Sequence, residues 1–252
     1  SLAIVIGGTV YIAYSHDMDT ARTRLDSLDG QVISTDCGTI EYVERGTGEP
    51  LLISHGIMGG FDQGLMETRD LTDDFRIIAP SRFGYLGTPL PETANLPADQ
   101  ADAYACLLDH LGIDRTAIMG VSAGGTSALQ FALRYPERTT ALILLSSNAP
   151  TEGLSGEPTE PSWIETQLFG ADFMFWGLRR FLPGTLHGMV GVPADYELTH
   201  EEEDLLAELT QTILPARPRR DGFLHDLHVS NLDINNDYPL DGIQVPVLII
   251  HA

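Results

Sequence analysis

The spacing of apolar and polar residues divides this chain into stretches of different texture. QVISTDCGTIEYVERG, residues 31–46, has two short alternating runs around Asp36-Cys37-Gly38, which predicts a β-hairpin. LLIS (51–54) and RIIA (76–79) are short apolar runs bounded by turn residues, as in strands covered on both faces. Between them, FDQGLMETRDLTDDF holds a helix-length segment. ADQADAYACLLDHLGI, residues 98–113, has apolar residues at helical spacing and Gly112 near its end, which predicts a helix. TAIMG then reads as a strand, SAGGTSALQFALRYP as a helix stopped by Pro136, and TTALILLS as another strand. This βαβαβ alternation predicts an α/β fold with a mostly parallel central sheet and right-handed crossovers.

From Asn148 to about Asn231 proline, glycine and aromatic residues become frequent, as in EPTEPSWIETQLFGADFMFWGLRRFLPG. The stretch predicts a helical insertion over 151–231, with THEEEDLLAELTQTIL as one helix and Thr199 and Glu202 as its capping box. Strand texture resumes at VPVLIIHA, so the core is expected to comprise residues 31–150 and 239–252. Placed over the core, the Phe-, Trp- and Leu-rich part of the insertion would form an apolar cap for a small apolar substrate.

The N-terminal run SLAIVIGGTVYIAY has 14 uncharged residues, short of the roughly 20 that span a bilayer. Residues 1–15 are expected to be a membrane anchor or signal-peptide remnant, which would place the protein at a membrane or outside the cell, with a cytoplasmic location as the alternative. A buried N-terminal strand is the other reading. A polar amphipathic stretch, Asp19–Asp29, follows.

Charge narrows the partners. Against 36 acidic residues stand 14 basic ones, all arginine, for a formal net charge of −22. Such a field repels phosphate backbones and excludes nucleic acid as a partner. It also fits a protein adapted to high salt, where screening relieves the self-repulsion, the other reading being an acidic protein from a GC-rich genome that favours arginine over lysine. The two cysteines, Cys37 and Cys106, are too few for a disulfide framework and are expected to be small buried residues.

The candidate chemistry centres on Gly120-Val121-Ser122-Ala123-Gly124. A serine at a sharp strand-to-helix turn presents its hydroxyl, and Gly120 and Gly124 avoid collisions with the neighbouring strand and helix. The Ala123 amide, at the start of the helix, faces the place where negative charge would develop. In LLISHGIMGG, a strand ends at His55-Gly56 and a glycine-rich turn follows, making Ile57 N–H the second candidate oxyanion donor.

Taken together, HGIMGG, APSRFGYLGT with Gly84 and Gly87, GVSAGG and YPERTTALILLS resemble the α/β-hydrolase superfamily. The resemblance is to its capped branch, which includes carboxylesterases, cofactor-free haloperoxidases and C–C bond hydrolases. It implies a serine hydrolase acting on an ester-like carbonyl through an acyl-enzyme, with Ser122 as nucleophile and no metal or organic cofactor. Serine at the elbow argues against epoxide hydrolases and haloalkane dehalogenases, which place aspartate there. C–C bond hydrolysis, perhydrolase chemistry and a non-catalytic, membrane-tethered binding protein remain open alternatives.

The resemblance also implies a chain order of serine, then acid, then histidine. VPVLIIHA resembles the strand that precedes the acid, so acid and histidine are expected beyond Ala252, with the last strand and helix. His55 is expected to serve structurally, not as base. His225 and His228, three residues apart around Asp226, lack a third ligand for a metal. Asn148 stands where some members carry the acid and cannot act as a carboxylate.

Overall fold

The computed structural model describes residues 2–148, 156–193, 195–232 and 238–251. Residues 151–155 at the start of the expected insertion, and the terminal residues Ser1 and Ala252, lie outside the described residues.

The hairpin forms as its alternation requires, with β1 (Gln31–Thr35) antiparallel to β2 (Gly38–Arg45). β2 is in turn antiparallel to β4 (Phe75–Pro80). The apolar runs β3 (Glu49–Ser54), β4, β5 (Thr116–Val121), β6 (Thr139–Leu145) and β7 (Val247–Ile250) pair in parallel. The sheet order is β1-β2-β4-β3-β5-β6-β7. β3 and β5 are therefore neighbours, and Ser54 pairs with Gly120 at their carboxyl ends.

The central strands read as continuous apolar runs because both faces are covered. On one face α3 (Pro97–His110) and α4 (Gly125–Arg134) pack over Leu52, Ile78, Ile118 and Leu142. On the other, α2 (Phe61–Glu67) lies over Ile53, Ile77 and Ala79. Each buried leucine or isoleucine among these contributes about 1.5–3 kcal/mol relative to exposure. α2 is shorter than the segment between the strands suggests. Thr68 donates its hydroxyl back to Gly64 O at 2.7 Å, and a short 3-10 turn, Arg69–Leu71, takes over.

The alternative reading of the N-terminal run and the expectation for the cysteines need correction. The N-terminal segment is not a buried strand, because α1 runs unbroken over Leu2–Asp26 and absorbs most of the amphipathic stretch. Its later turns dock on the insertion, burying Met18 and Ala21, while Ile4, Val5, Tyr11 and Ile12 remain exposed. Among the described residues no helix is long and apolar enough to cross a membrane. The cysteines, secondly, are not two independent buried thiols but a disulfide between residues 69 apart in sequence. Cys37 sits in the hairpin turn and Cys106 on α3, and α3 packs against that hairpin. Closing a loop of this length stabilises by about 2–4 kcal/mol.

The insertion is helical where described: α5 (Trp163–Phe169), α6 (Asp172–Phe181), α7 (Pro183–Met189), α8 (His200–Thr212) and α9 (Arg220–His225). α8 begins with the expected capping box, Glu202 N–H donating to Thr199 Oγ1 and Thr199 N–H to Glu202 Oε2 at 2.7 Å. Ser162 and Glu165 cap α5 in the same way. Trp176 of α6 is buried against Tyr14 and Asp17 of α1 and Phe175 against Phe169 and Phe223, whereas Trp163 and Ile164 are exposed.

Candidate active site

Ser122 follows β5 with φ of 47°, in the left-handed region that side chains other than glycine rarely adopt. The chain turns there into the short 3-10 segment Ser122–Gly124, which runs directly into α4. Amides in such a first turn have no acceptor inside the helix, so Ala123 N–H is available to a ligand. A Cβ at Gly124 would run into the carbonyls of Ser54 and His55, and one at Gly120 would lie 2.7 Å from Ala128 Cβ. The two glycines thus allow β5, α4 and β3 to converge around the serine. Two hydrogen bonds tie the back of the elbow: Asn148 N–H donates to Ser122 O at 3.0 Å, and Ser127 Oγ pairs with Ser54 Oγ at 2.9 Å.

Beside the elbow, the turn after β3 places Gly56 against Ser122, with Ile57 the next residue in the chain. A Cβ on Gly56 would be 3.5 Å from Ser122 Cβ. Within Ile57–Gly59, two of the three amides are occupied. Met58 N–H donates to Tyr85 OH at 3.2 Å and Gly59 N–H to Gly56 O at 3.3 Å. Ile57 N–H has no acceptor among the described residues, which leaves it for a ligand. Met58 sits at φ of 59°, a second strained position beside the serine.

His55 is buried, with both ring nitrogens engaged. Arg82 N–H donates to Nε2 at 3.0 Å, which makes Nδ1 the protonated nitrogen, donating to Gly56 O at 2.8 Å. Burial first, and the Arg82 cation second, hold this imidazole well below its ordinary pKa, so it stays neutral. It braces the turn and has no nitrogen left for Ser122. Among the described residues no hydrogen bond involves Ser122 Oγ.

The other histidines weighed in the sequence separate. His225 is buried with Nε2 2.8 Å from Asn95 O, and burial lowers its pKa. His228 shares a hydrogen bond between Nδ1 and Thr159 Oγ1 at 2.7 Å. Among the described residues no group of three His, Cys, Asp or Glu side chains could hold a metal ion. His251 is exposed just past β7. Asn148 donates its amide to Asn231 Oδ1 at 2.8 Å, tying the end of the insertion to the elbow.

Several buried side chains around the turn escaped the sequence reading. Arg82, in the loop after β4, forms a bidentate pair with Asp226 at 2.8 and 2.5 Å, and Tyr85 OH donates to the same carboxylate at 2.5 Å. Burial works to lower the Arg82 pKa, but Asp226 outweighs it and holds the guanidinium above its ordinary value. Arg219 donates to Gly59 O at 2.5 Å and to Asp62 at 3.0 and 2.9 Å. Arg24 of α1 reaches the same carboxylate at 2.8 Å. Burial alone would raise the Asp62 pKa, but Arg219 and then Arg24 hold it below its ordinary value. Gln63 is buried beneath the turn, and its Oε1 has no hydrogen-bond partner. The one local signal for these groups was an arginine directly after the apolar run RIIAPS, where a buried charge needs a partner.

Known proteins supply independent comparisons. The family description "alpha/beta hydrolase fold" matches residues 49–219. An uncharacterized hydrolase of Bacillus subtilis, YcgS, is 37% identical over 130 residues, covering 52% of this chain and 45% of YcgS, so the match spans less than half of that relative. Haloalkane dehalogenase 2 of Mycobacterium tuberculosis is 29% identical over 220 residues, 79% of this chain and 72% of that protein. Among solved structures, an alpha/beta hydrolase fold protein from Nakamurella multipartita superposes with a TM-score of 0.68 at 28% identity, over 88% of this chain and 80% of that one.

Proposed function

The chain belongs to the alpha/beta hydrolase fold family, and from that premise we propose that it is a serine hydrolase cleaving carboxylic ester-like substrates through an acyl-enzyme. The observation that carries this reading is the meeting of Ser122, at φ of 47°, with Ile57 N–H, an amide left without an acceptor beside it. Position 122 holds a hydroxyl rather than a carboxylate, which favours acyl transfer over the dehalogenation in that relative's name.

In this reading Ser122 Oγ attacks the ester carbonyl as its proton passes to a general base. Ile57 N–H and Ala123 N–H hold the oxyanion of the tetrahedral intermediate. Collapse expels the alcohol, which takes up the proton, and leaves an acyl group on Oγ for water to remove. His55 is not the base, because both of its nitrogens are committed. The chemistry calls for another imidazole, oriented by a carboxylate.

The substrate is a small molecule with an apolar portion, a reading supported by the exposed Trp163 and Ile164 of the cap. The exposed apolar turns at the start of α1 support attachment at a membrane surface.

The test is turnover of p-nitrophenyl esters by the native gene product and its Ser122→Ala variant. The variant is expected to lose at least about a thousandfold in kcat. Turnover that survives the substitution would overturn the reading.

A further inference from the structure

We propose that Asp226, contributed by the last part of the insertion just after α9, is a positioning residue for the oxyanion donor Ile57 N–H. This inference rests on the reading of Ser122 as nucleophile, and it concerns how the neighbouring turn is aimed.

Asp226 is fully buried, and both of its oxygens are used. Oδ1 accepts from Arg82 Nη1, and Oδ2 accepts from Arg82 Nη2 and from Tyr85 OH. The remaining reach of Arg82 goes to the turn. Its Nε donates to His55 O at 2.8 Å, its Nη2 to Gly56 O at 3.3 Å, and its main-chain N–H to His55 Nε2 at 3.0 Å. One guanidinium therefore bridges a carboxylate from the end of the insertion and two successive carbonyls of the turn.

The second of those carbonyls decides the geometry. Gly56 C=O and Ile57 N–H belong to one planar trans peptide unit, in which the C=O and N–H point in opposite directions. Gly56 O is drawn inward by three donors: Arg82 Nη2, His55 Nδ1 and Gly59 N–H. Ile57 N–H must then point outward, away from Arg82. Tyr85 completes the arrangement by occupying Met58 N–H, so the neighbouring amide cannot compete for the oxyanion.

Without Asp226 the guanidinium would keep its charge but lose its anchor, and Gly56 would lose a fixed donor. A buried ion pair is weak evidence for stability by itself, since well-packed apolar groups often serve as well. What this pair does that apolar groups cannot is fix the direction of a peptide plane.

The test compares Asp226→Asn and Tyr85→Phe with the native chain by two readouts. The first is ester hydrolysis per active site titrated with a fluorophosphonate. Asp226→Asn is expected to lower kcat about tenfold to a hundredfold with KM within about threefold, because the lost interaction acts on the oxyanion. Tyr85→Phe keeps the ion pair and is expected to lower kcat only severalfold. The second is hydrogen exchange of the amides in residues 55–60, which Asp226→Asn is expected to accelerate while exchange in α3 stays unchanged. Unchanged kcat per titrated site, or unchanged exchange at 55–60, overturns the proposal. If the native chain shows no Ser122-dependent turnover, the serine reading fails, and the exchange data still decide whether Asp226 holds the turn.

Discussion

At the elbow after β5, position is set by side chains that are missing, whereas at the turn after β3 it is set by long ones reaching in from elsewhere. Gly120 and Gly124 let β3, β5 and α4 converge on Ser122, where any Cβ would meet backbone or a neighbouring methyl. The turn from His55 to Gly60 is also glycine-rich, but Arg82 and Arg219 hold it, each with a buried aspartate. Steric fit of the first kind is local and unforgiving. Polar clamping of the second kind is assembled across the chain, Arg82 lying 144 residues from Asp226 and Arg219 157 residues from Asp62. Each of these contacts can be weakened by degrees.

That contrast is broken most severely at the elbow. Gly124→Ala places a methyl group against Ser54 O, which neither strand nor helix can yield without losing its pairing. It is expected to cost ~3–5 kcal/mol, the scale of severe overpacking, and to lower Tm by roughly ten degrees or more in thermal unfolding. Wild-type stability in this variant would show that the convergence is looser than the structure implies.

At the turn, Arg219→Ala leaves the buried Asp62 with Arg24 alone and frees Gly59 O. The expected cost is ~2–4 kcal/mol in urea unfolding at pH 7, below that of breaking a fully isolated pair because Arg24 remains. A loss as large as that of Gly124→Ala would erase the distinction between the two regions.

The smallest effect lies at the far end of α2. Glu67 Oε2 is enclosed without a hydrogen-bond partner, and burial, only partly offset by Arg82, pushes its carboxyl from 4.5 up to about 8. Between those values the folded chain keeps a proton that the unfolded chain releases, so this group makes stability fall as pH rises from 4.5 to about 8 and then level off. Glu67→Gln is expected to stabilise by ~1–3 kcal/mol at pH 9 and to change little at pH 4. Equal urea midpoints for the two proteins at pH 9 would show that the carboxyl is solvated.

The comparison also explains what the sequence disclosed. Strands β3 to β7, α3, α4 and the α8 cap were legible because each depends on local spacing, and so was the strand–serine–helix turn at Ser122. The Arg82–Asp226 and Arg219–Asp62 pairs were not, since no local pattern encodes partners so far apart. The Cys37–Cys106 bond was missed for the same reason: two cysteines carry no information about distance until α3 is laid across the hairpin. The N-terminal run stayed ambiguous between anchor and strand because its apolar residues lack a clear period. Its helix becomes evident only where Met18 and Ala21 find a surface to bury against.

The most direct measurement is the site of covalent capture. Incubated with a fluorophosphonate, the native gene product is expected to gain one adduct mass, located by tandem mass spectrometry on Ser122 and absent from Ser122→Ala. An adduct on a different residue, or the same labelling in the variant, would contradict the assignment of Ser122 as the nucleophile.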